Sequence, residues 1–193
     1  MSQLKLEKMK KRVSSHLDKE RYEHTLGVMY TAGAMAMRYH VDLEKALIAG
    51  LLHDCAKGLS SDKKLKLCEK YQLTVSESER KNPGLLHAKL GAYIAKTKYG
   101  IDDMEIVDAI AYHTTGRPEM TLLDKIVYIA DYIEPNRNEA PNLDEVRALA
   151  FQDMDACLYV ILKDSLAYLE TKNEVVDPRT EQTYQYYKKL LQK

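Results

Sequence analysis

The residues in this sequence with the greatest capacity for chemistry are its histidines and the carboxylates set beside them. The six histidines are His16, His24, His40, His53, His87 and His113, and one of them stands in an adjacent pair, His53-Asp54. That pair sits at the end of an apolar helix, in the run Ala49-Gly50-Leu51-Leu52-His53-Asp54-Cys55-Ala56-Lys57-Gly58. A carboxylate carried inward beside Leu51 and Leu52 requires a cation to offset its lost hydration. A divalent ion bound by imidazole and carboxylate meets that requirement. A lone helical histidine elsewhere is usually structural or solvated, and His16 and His40 fit no pattern of ligands; His40 reads as a helix-end residue.

The elements that must position these residues read as helices almost throughout. From Asp42 the positions Leu43, Ala46, Leu47, Gly50, Leu51 and Cys55 recur at three and four residues. Asp42 is the expected N-cap, and Lys57-Gly58 the expected end, a cation followed by a left-handed glycine. Asp102 and Glu105 predict a capping box for a helix to about His113. Thr121 starts a further helix, with Leu122, Leu123, Ile126, Val127, Ile129, Ala130 and Ile133 inward and Pro135 as its stop. Residues 3–18 and 20–39 predict two helices, and His87 opens another that ends near Lys98. Later helices are expected over about 143–150, 154–170 and 180–191. Glu174-Val175-Val176-Asp177 is the one strand-like stretch. No repeat or Pro/Gly-rich linker divides the chain, so the expected architecture is one all-α domain.

Bulk properties narrow the function classes. A chain of 193 residues with 45% hydrophobic and 30% charged residues can bury a core without staples. Lys plus Arg and Asp plus Glu number 29 each, so no global field draws the chain to nucleic acid or a membrane. An anionic substrate must then be held by local cations. The three cysteines, Cys55, Cys68 and Cys157, are odd in number and form no CxxC pair, which excludes a disulfide framework and fits a reducing compartment. No apolar run approaches the roughly 20 residues that span a bilayer, and Met1–Arg12 lacks the apolar segment of a secretory signal. The expectation is a soluble, cytoplasmic protein.

The order His24, His53-Asp54, His87, His113, Asp131 resembles the H…HD…H…H…D signature of HD-domain phosphohydrolases. Three flanking stretches more narrowly resemble the YqeK family of diadenosine tetraphosphate hydrolases. They are Arg21-Tyr22-Glu23-His24-Thr25-Leu26-Gly27-Val28, His113-Thr114-Thr115-Gly116-Arg117-Pro118 and Ala130-Asp131-Tyr132-Ile133-Glu134-Pro135-Asn136-Arg137. The likeness runs from about residue 10 to 190 and includes Val176-Asp177-Pro178-Arg179-Thr180. It implies a single HD domain of helical-bundle type over residues 1–193, with an HD core of about 20–135 completed by helices of about 140–193. It also implies that His24, His53, Asp54 and Asp131 hold one catalytic metal, usually described as iron. His87 and His113 match positions that hold a second metal in some HD enzymes and otherwise face substrate phosphate.

The donor chemistry agrees with that division. Imidazole and carboxylate without thiolate suit iron, manganese, nickel or zinc and do not decide among them. Four protein ligands on an ion that prefers six leave room for water and a phosphate oxygen. Zinc with four ligands is more often a closed site, which favours iron or manganese. Lys57, Arg21 and Arg137 are the cations expected near substrate phosphate, with the Thr114 hydroxyl beside them. Lys57 also reads as a helix cap and Arg21 as a solvated residue. The resemblance implies that Glu174–Arg179 closes over the nucleotide, with Val175 and Val176 against a base and Arg179 near phosphate; a loop packing its valines on the core is the other reading. Arg117 either reaches the site or fixes the Thr115–Pro118 turn.

The activity implied is metal-dependent hydrolysis of a dinucleoside polyphosphate, diadenosine tetraphosphate cut symmetrically to two ADP. Asp54, Lys57, His87 and His113 would be its catalytic groups, and Asp54 and Asp131 would also face substrate. The alternatives are an HD phosphohydrolase of a deoxynucleotide, cyclic nucleotide or guanosine alarmone, or a metal-containing nucleotide sensor without turnover. A homodimer is suggested by the family and by the stripe Leu158, Ile161, Leu162, Leu166 and Leu169, which a core helix explains equally well.

Overall fold

A computed structural model describes residues 3–138, 140, 142–172 and 175–192. Among them are eleven α-helices and no strand. They are α1 (Gln3–Ser14), α2 (Lys19–Tyr39), α3 (Leu43–Leu52), α4 (Ser61–Lys70), α5 (Glu77–Lys81), α6 (Leu86–Tyr99), α7 (Met104–Tyr112), α8 (Leu122–Ile133), α9 (Leu143–Ala150), α10 (Met154–Thr171) and α11 (Pro178–Leu191). A 3-10 turn, Pro83–Leu85, leads into α6. The all-α expectation holds.

Short polar side chains start four of the five helices that carry the site, α6 instead following its 3-10 turn. Asp18 accepts the Arg21 N–H at 2.8 Å ahead of α2, and Asp42 accepts that of Lys45 at 2.9 Å ahead of α3. Thr121 and Asp124 form a capping box at α8, which stops at Ile133 ahead of Pro135. Leu122, expected inward, is exposed instead, because the first turn of α8 turns that position away from the core. Helix α3 is the hub. Its Ala46, Ile48, Ala49, Leu51 and Leu52 are buried, and it packs on α1, α2, α6, α7 and α8. At Gly50 a Cβ would stand 2.8 Å from the Met29 Cα, so only glycine lets the α2 and α3 backbones lie this close. The main core runs from Met9 and Val13 on α1 to Tyr187 on α11. A smaller cluster, Ala56, Cys68, Leu86 and Leu90, fastens α4 to α6.

Several expected boundaries move. Helix α1 ends at Ser14 rather than residue 18, where Ser14 and Ser15 hydroxyls bond back to Lys11 and Arg12 carbonyls. Helix α3 stops at Leu52, and residues 53–58 are turns rather than a final helical stretch. Gly58 is not left-handed, since among the described glycines only Gly100 and Gly116 have positive φ. Asp103, not Asp102, caps α7 by accepting the Glu105 N–H, while the Glu105 carboxylate pairs with Lys45. Helices α4 and α5 have no counterpart in the expected set. Val175–Asp177 is irregular rather than extended in a strand, and Glu174 lies outside the described residues. Leu158, Ile161 and Leu162 are core residues, so that part of the stripe is spoken for within the chain.

Candidate metal centre

Five helix segments bring the six signature residues together. His24 projects from α2, His53 and Asp54 follow the end of α3, His87 lies in the first turn of α6, His113 caps the end of α7 and Asp131 lies on α8. The ring centroids of His24 and His53 are 5.5 Å apart, those of His53 and His113 4.9 Å, and those of His87 and His113 5.0 Å. Two groups of donor atoms each lie within 4.8 Å of one another: His24, His53 and Asp131, and His53, Asp54 and His113. His53 is common to both and fully buried.

Each of these four rings has one nitrogen tied to the protein and the other turned inward. His53 Nδ1 lies 2.7 Å from the Gly50 carbonyl, His87 Nδ1 2.6 Å from that of Gly84 and His113 Nδ1 2.8 Å from that of Ile110. His24 Nδ1 instead meets the Glu134 carboxylate at 3.1 Å. Acceptors at Nδ1 place the ring proton there, so every Nε2 carries a lone pair. These lone pairs face carboxylate oxygens: His24 Nε2 is 3.1 Å from Asp131 Oδ1, and His87 and His113 Nε2 are 3.2 and 3.5 Å from Asp54 Oδ1. Two acceptors that close repel one another unless a cation stands between them. His24 Nε2, His53 Nε2 and Asp54 Oδ1 are buried without an aligned hydrogen bond, which buried polar atoms seldom tolerate. The donor set therefore fits a divalent metal ion.

Burial pushes His53 and His87 down to about 4. Burial alone would raise the two carboxylic acids, yet wherever a neighbouring ring carries a proton toward them, His53, His113 or His87 at Asp54 and His24 at Asp131, it holds each well below the usual range, with Lys57 assisting at Asp54. Neutral Nε2 atoms and ionised carboxylates near neutral pH are the states that ligate metal.

A cationic and hydroxyl rim surrounds the cluster. Arg21 donates to Asp54 Oδ2 at 3.2 Å, so it belongs to the site and not to a solvated face. Lys57 arrives through a turn, its N–H bonded to the Asp54 carbonyl, and its Nζ is 3.3 Å from His87 Nε2. The Thr114 hydroxyl lies 3.2 Å from His87 Nε2 and 3.1 Å from His113 Nε2. Arg137 donates to both the Asp131 side chain, at 2.9 Å, and its carbonyl.

A family model described as "HD domain" matches residues 21–136. The chain is 42% identical over 174 residues to a protein of Bacillus subtilis (strain 168) named bis(5'-nucleosyl)-tetraphosphatase, symmetrical, covering 90% of this chain and 92% of that protein. It is 36% identical over 186 residues to a Staphylococcus aureus protein of the same name, covering 95% of each. The chain belongs to the YqeK family of HD-domain proteins. A solved relative superposes with a TM-score of 0.92 at 38% identity, over 95% of this chain and 97% of its own; it is described as a predicted HD superfamily hydrolase involved in NAD metabolism from Clostridium acetobutylicum.

In this YqeK-family protein the C-terminal residues expected near nucleotide stand apart from the cluster. Val176 lines a groove of about 590 Å³ with Lys163, Leu166, Glu170 and Tyr184, none of them a cluster residue. Val175 is exposed. Arg179 stacks over the Tyr112 ring and lines a concavity of about 210 Å³ with Lys89 and Thr115, again without a cluster residue. Arg117 does not reach the centre; it ties Asp108 to Asp124 and fixes its turn. Sequence reasoning passed over Glu134, buried against His24. Its spacing, three residues after Asp131 in a helical run, was the available signal.

Proposed function

We propose that this chain is a divalent-metal-dependent phosphohydrolase that cleaves diadenosine tetraphosphate symmetrically to two ADP. The observation that carries the reading is the convergence of four Nε2 lone pairs and two ionised carboxylates inside a rim of Arg21, Lys57, Thr114 and Arg137. His24, His53, Asp54 and Asp131 would hold the ion in this reading, and a divalent cation bound there would supply Lewis acidity toward water and phosphoryl oxygen. The substrate class follows the names of the Bacillus and Staphylococcus relatives. Iron or manganese is the proposed ion, supported by four protein ligands that leave positions open on an ion preferring six, where zinc with four would more often be closed. A reducing, cytoplasmic setting is supported by three unpaired cysteines. A homodimer rests on family likeness alone.

The chain's own groups then divide the work. Lys57 and Arg137 bind phosphate oxygens, Arg137 with the planar fork suited to them. The Thr114 hydroxyl donates to a phosphate oxygen once substrate displaces it from the imidazoles. His87, with Lys57 at 3.3 Å, orients phosphate or relays a proton toward the leaving ADP. Arg179 and the valines of residues 175–176 are proposed to reach the nucleotide only if the segment moves inward. Residues 1–193 are taken as one unit, supported by the core that joins Val146, Leu158 and Tyr187 to α2 and α3.

Early products test the reading. Diadenosine tetraphosphate incubated with ferrous- or manganous-loaded protein in oxygen-18 water should give ADP alone, labelled at its terminal phosphate. ATP and AMP as the first pair would refute symmetrical cleavage. No turnover of this or of a deoxynucleotide, cyclic-nucleotide, guanosine-alarmone and NAD panel would favour the sensor.

A further inference from the structure

Three of the four clustered imidazoles are fixed at Nδ1 by backbone carbonyls, and only His24 is fixed by a carboxylate. That carboxylate belongs to Glu134, the residue that closes α8, and it is 1% exposed. Its Oε1 lies 3.1 Å from His24 Nδ1, and its Oε2 accepts the Asn136 N–H at 2.8 Å. Among the described residues no lysine or arginine side chain pairs with it, so its one ionisable partner is the His24 ring. A buried carboxylate without a full cation is costly, and is retained where it serves another group.

A second observation is independent of that contact. One turn beyond His24, Gly27 leaves the space that Glu134 occupies. A Cβ at residue 27 would stand 2.1 Å from Glu134 Oε2 and 3.0 Å from its Cδ. The α2 backbone is thus cut back where the carboxylate must enter to reach the ring.

We propose that Glu134 is a positioning residue that locks His24 in its Nδ1–H form and directs the Nε2 lone pair at the ion, with Gly27 as the space that admits it. The proposal rests on His24 being a ligand. A carboxylate behind a ligating imidazole fixes its tautomer and orientation and increases its donor strength, which a backbone carbonyl does less well. His24 is the ring that needs it most. Its Nε2 faces Asp131, whose charge is shared with Arg137.

Nitrogen-15 NMR of the chelator-treated, metal-free protein, recorded at a pH high enough to leave His24 neutral, reads the tautomer directly. His24 should be Nδ1–H in the wild type and a mixture in Glu134→Ala, with His53, His87 and His113 unchanged. Glu134→Gln, whose amide oxygen accepts the ring proton, should keep the tautomer. Divalent-ion affinity, from chelator competition, should fall roughly 10- to 100-fold in the alanine variant and less in the glutamine variant. Gly27→Ala should lower affinity alone but add nothing in a Glu134→Ala background, where there is no carboxylate to displace. If Glu134→Ala proves too unstable, Glu134→Leu fills the volume without an acceptor and carries the same comparison. An unchanged His24 tautomer with affinity within about two-fold of wild type would overturn the proposal, as would additive losses in the double variant. A wild-type protein that binds no divalent ion would instead overturn the reading of the site, which the metal-free spectrum separates from this one.

Discussion

The Nε2 atoms of His87 and His113 face each other at 3.1 Å, although both rings already have their protons drawn to backbone carbonyls at Nδ1. Two lone pairs at that distance need a shared proton or cation. The Lys57 ammonium and the Thr114 hydroxyl are the donors within reach. Of the two groups of donor atoms that could hold an ion, His24–His53–Asp131 and His53–Asp54–His113, only the second adjoins these proton donors.

His87 belongs to neither close group of ligand atoms among the described residues, while it touches Lys57 and Thr114. His87→Ala is expected to keep the wild-type metal content and lose turnover by roughly 10- to 100-fold or more. Elemental analysis beside steady-state kinetics decides it. Metal content falling from two ions to one would make His87 a ligand.

Asp54 lies between the two halves, in contact with His87, His113, His53 and Arg21. Asp54→Ala should strip most of the metal and abolish hydrolysis, with helix content near normal by circular dichroism. Retained metal and near-normal turnover would remove Asp54 from the centre.

Arg137 is exposed beside Asp131 and is the rim cation proposed to meet incoming phosphate. Arg137→Lys keeps charge but loses the planar fork. One charge-assisted bond lost is worth about 1.5–3 kcal/mol, so KM should rise roughly 10- to 100-fold with metal content unchanged. A loss confined to kcat would instead point to disturbed geometry at Asp131.

The metal-free protein should lose thermal stability as pH falls from 6.5 to 4. His53 and His87 are held at about 4 in the fold against 6.5 unfolded, so the unfolded chain binds more protons across that window. Asp54 and Asp131, held low, act in the same direction: their contribution is present above the ordinary carboxylate pKa and is lost on further acidification. His24 is raised by Asp131 and Glu134 against its burial, so its contribution is full below 6.5 and fades as pH rises. The raised ring thus adds no slope between pH 6.5 and 4, where the two buried neutral rings set the trend. Calorimetric midpoints that stay flat or increase between pH 6.5 and 4 would contradict this balance.

The sequence by itself determined the helical class, the caps at Asp42 and Thr121, the stop at Pro135 and the ordered set His24, His53-Asp54, His87, His113 and Asp131. These are legible because helical periodicity, capping and an adjacent His-Asp pair are local properties of the chain. What lay beyond it depends on contacts between distant segments. Lys57 reaches His87 through a turn because α3 ends at Leu52, five residues earlier than its apolar pattern suggests. Arg21 meets Asp54 only because Gly50 lets α2 lie against α3. Val176 falls into the α10–α11 groove, away from the histidines, because the packing of two late helices decides where that segment runs. Glu134 is one charged residue among many in the sequence. Tertiary structure alone buries it behind His24, in space left by the missing side chain of Gly27.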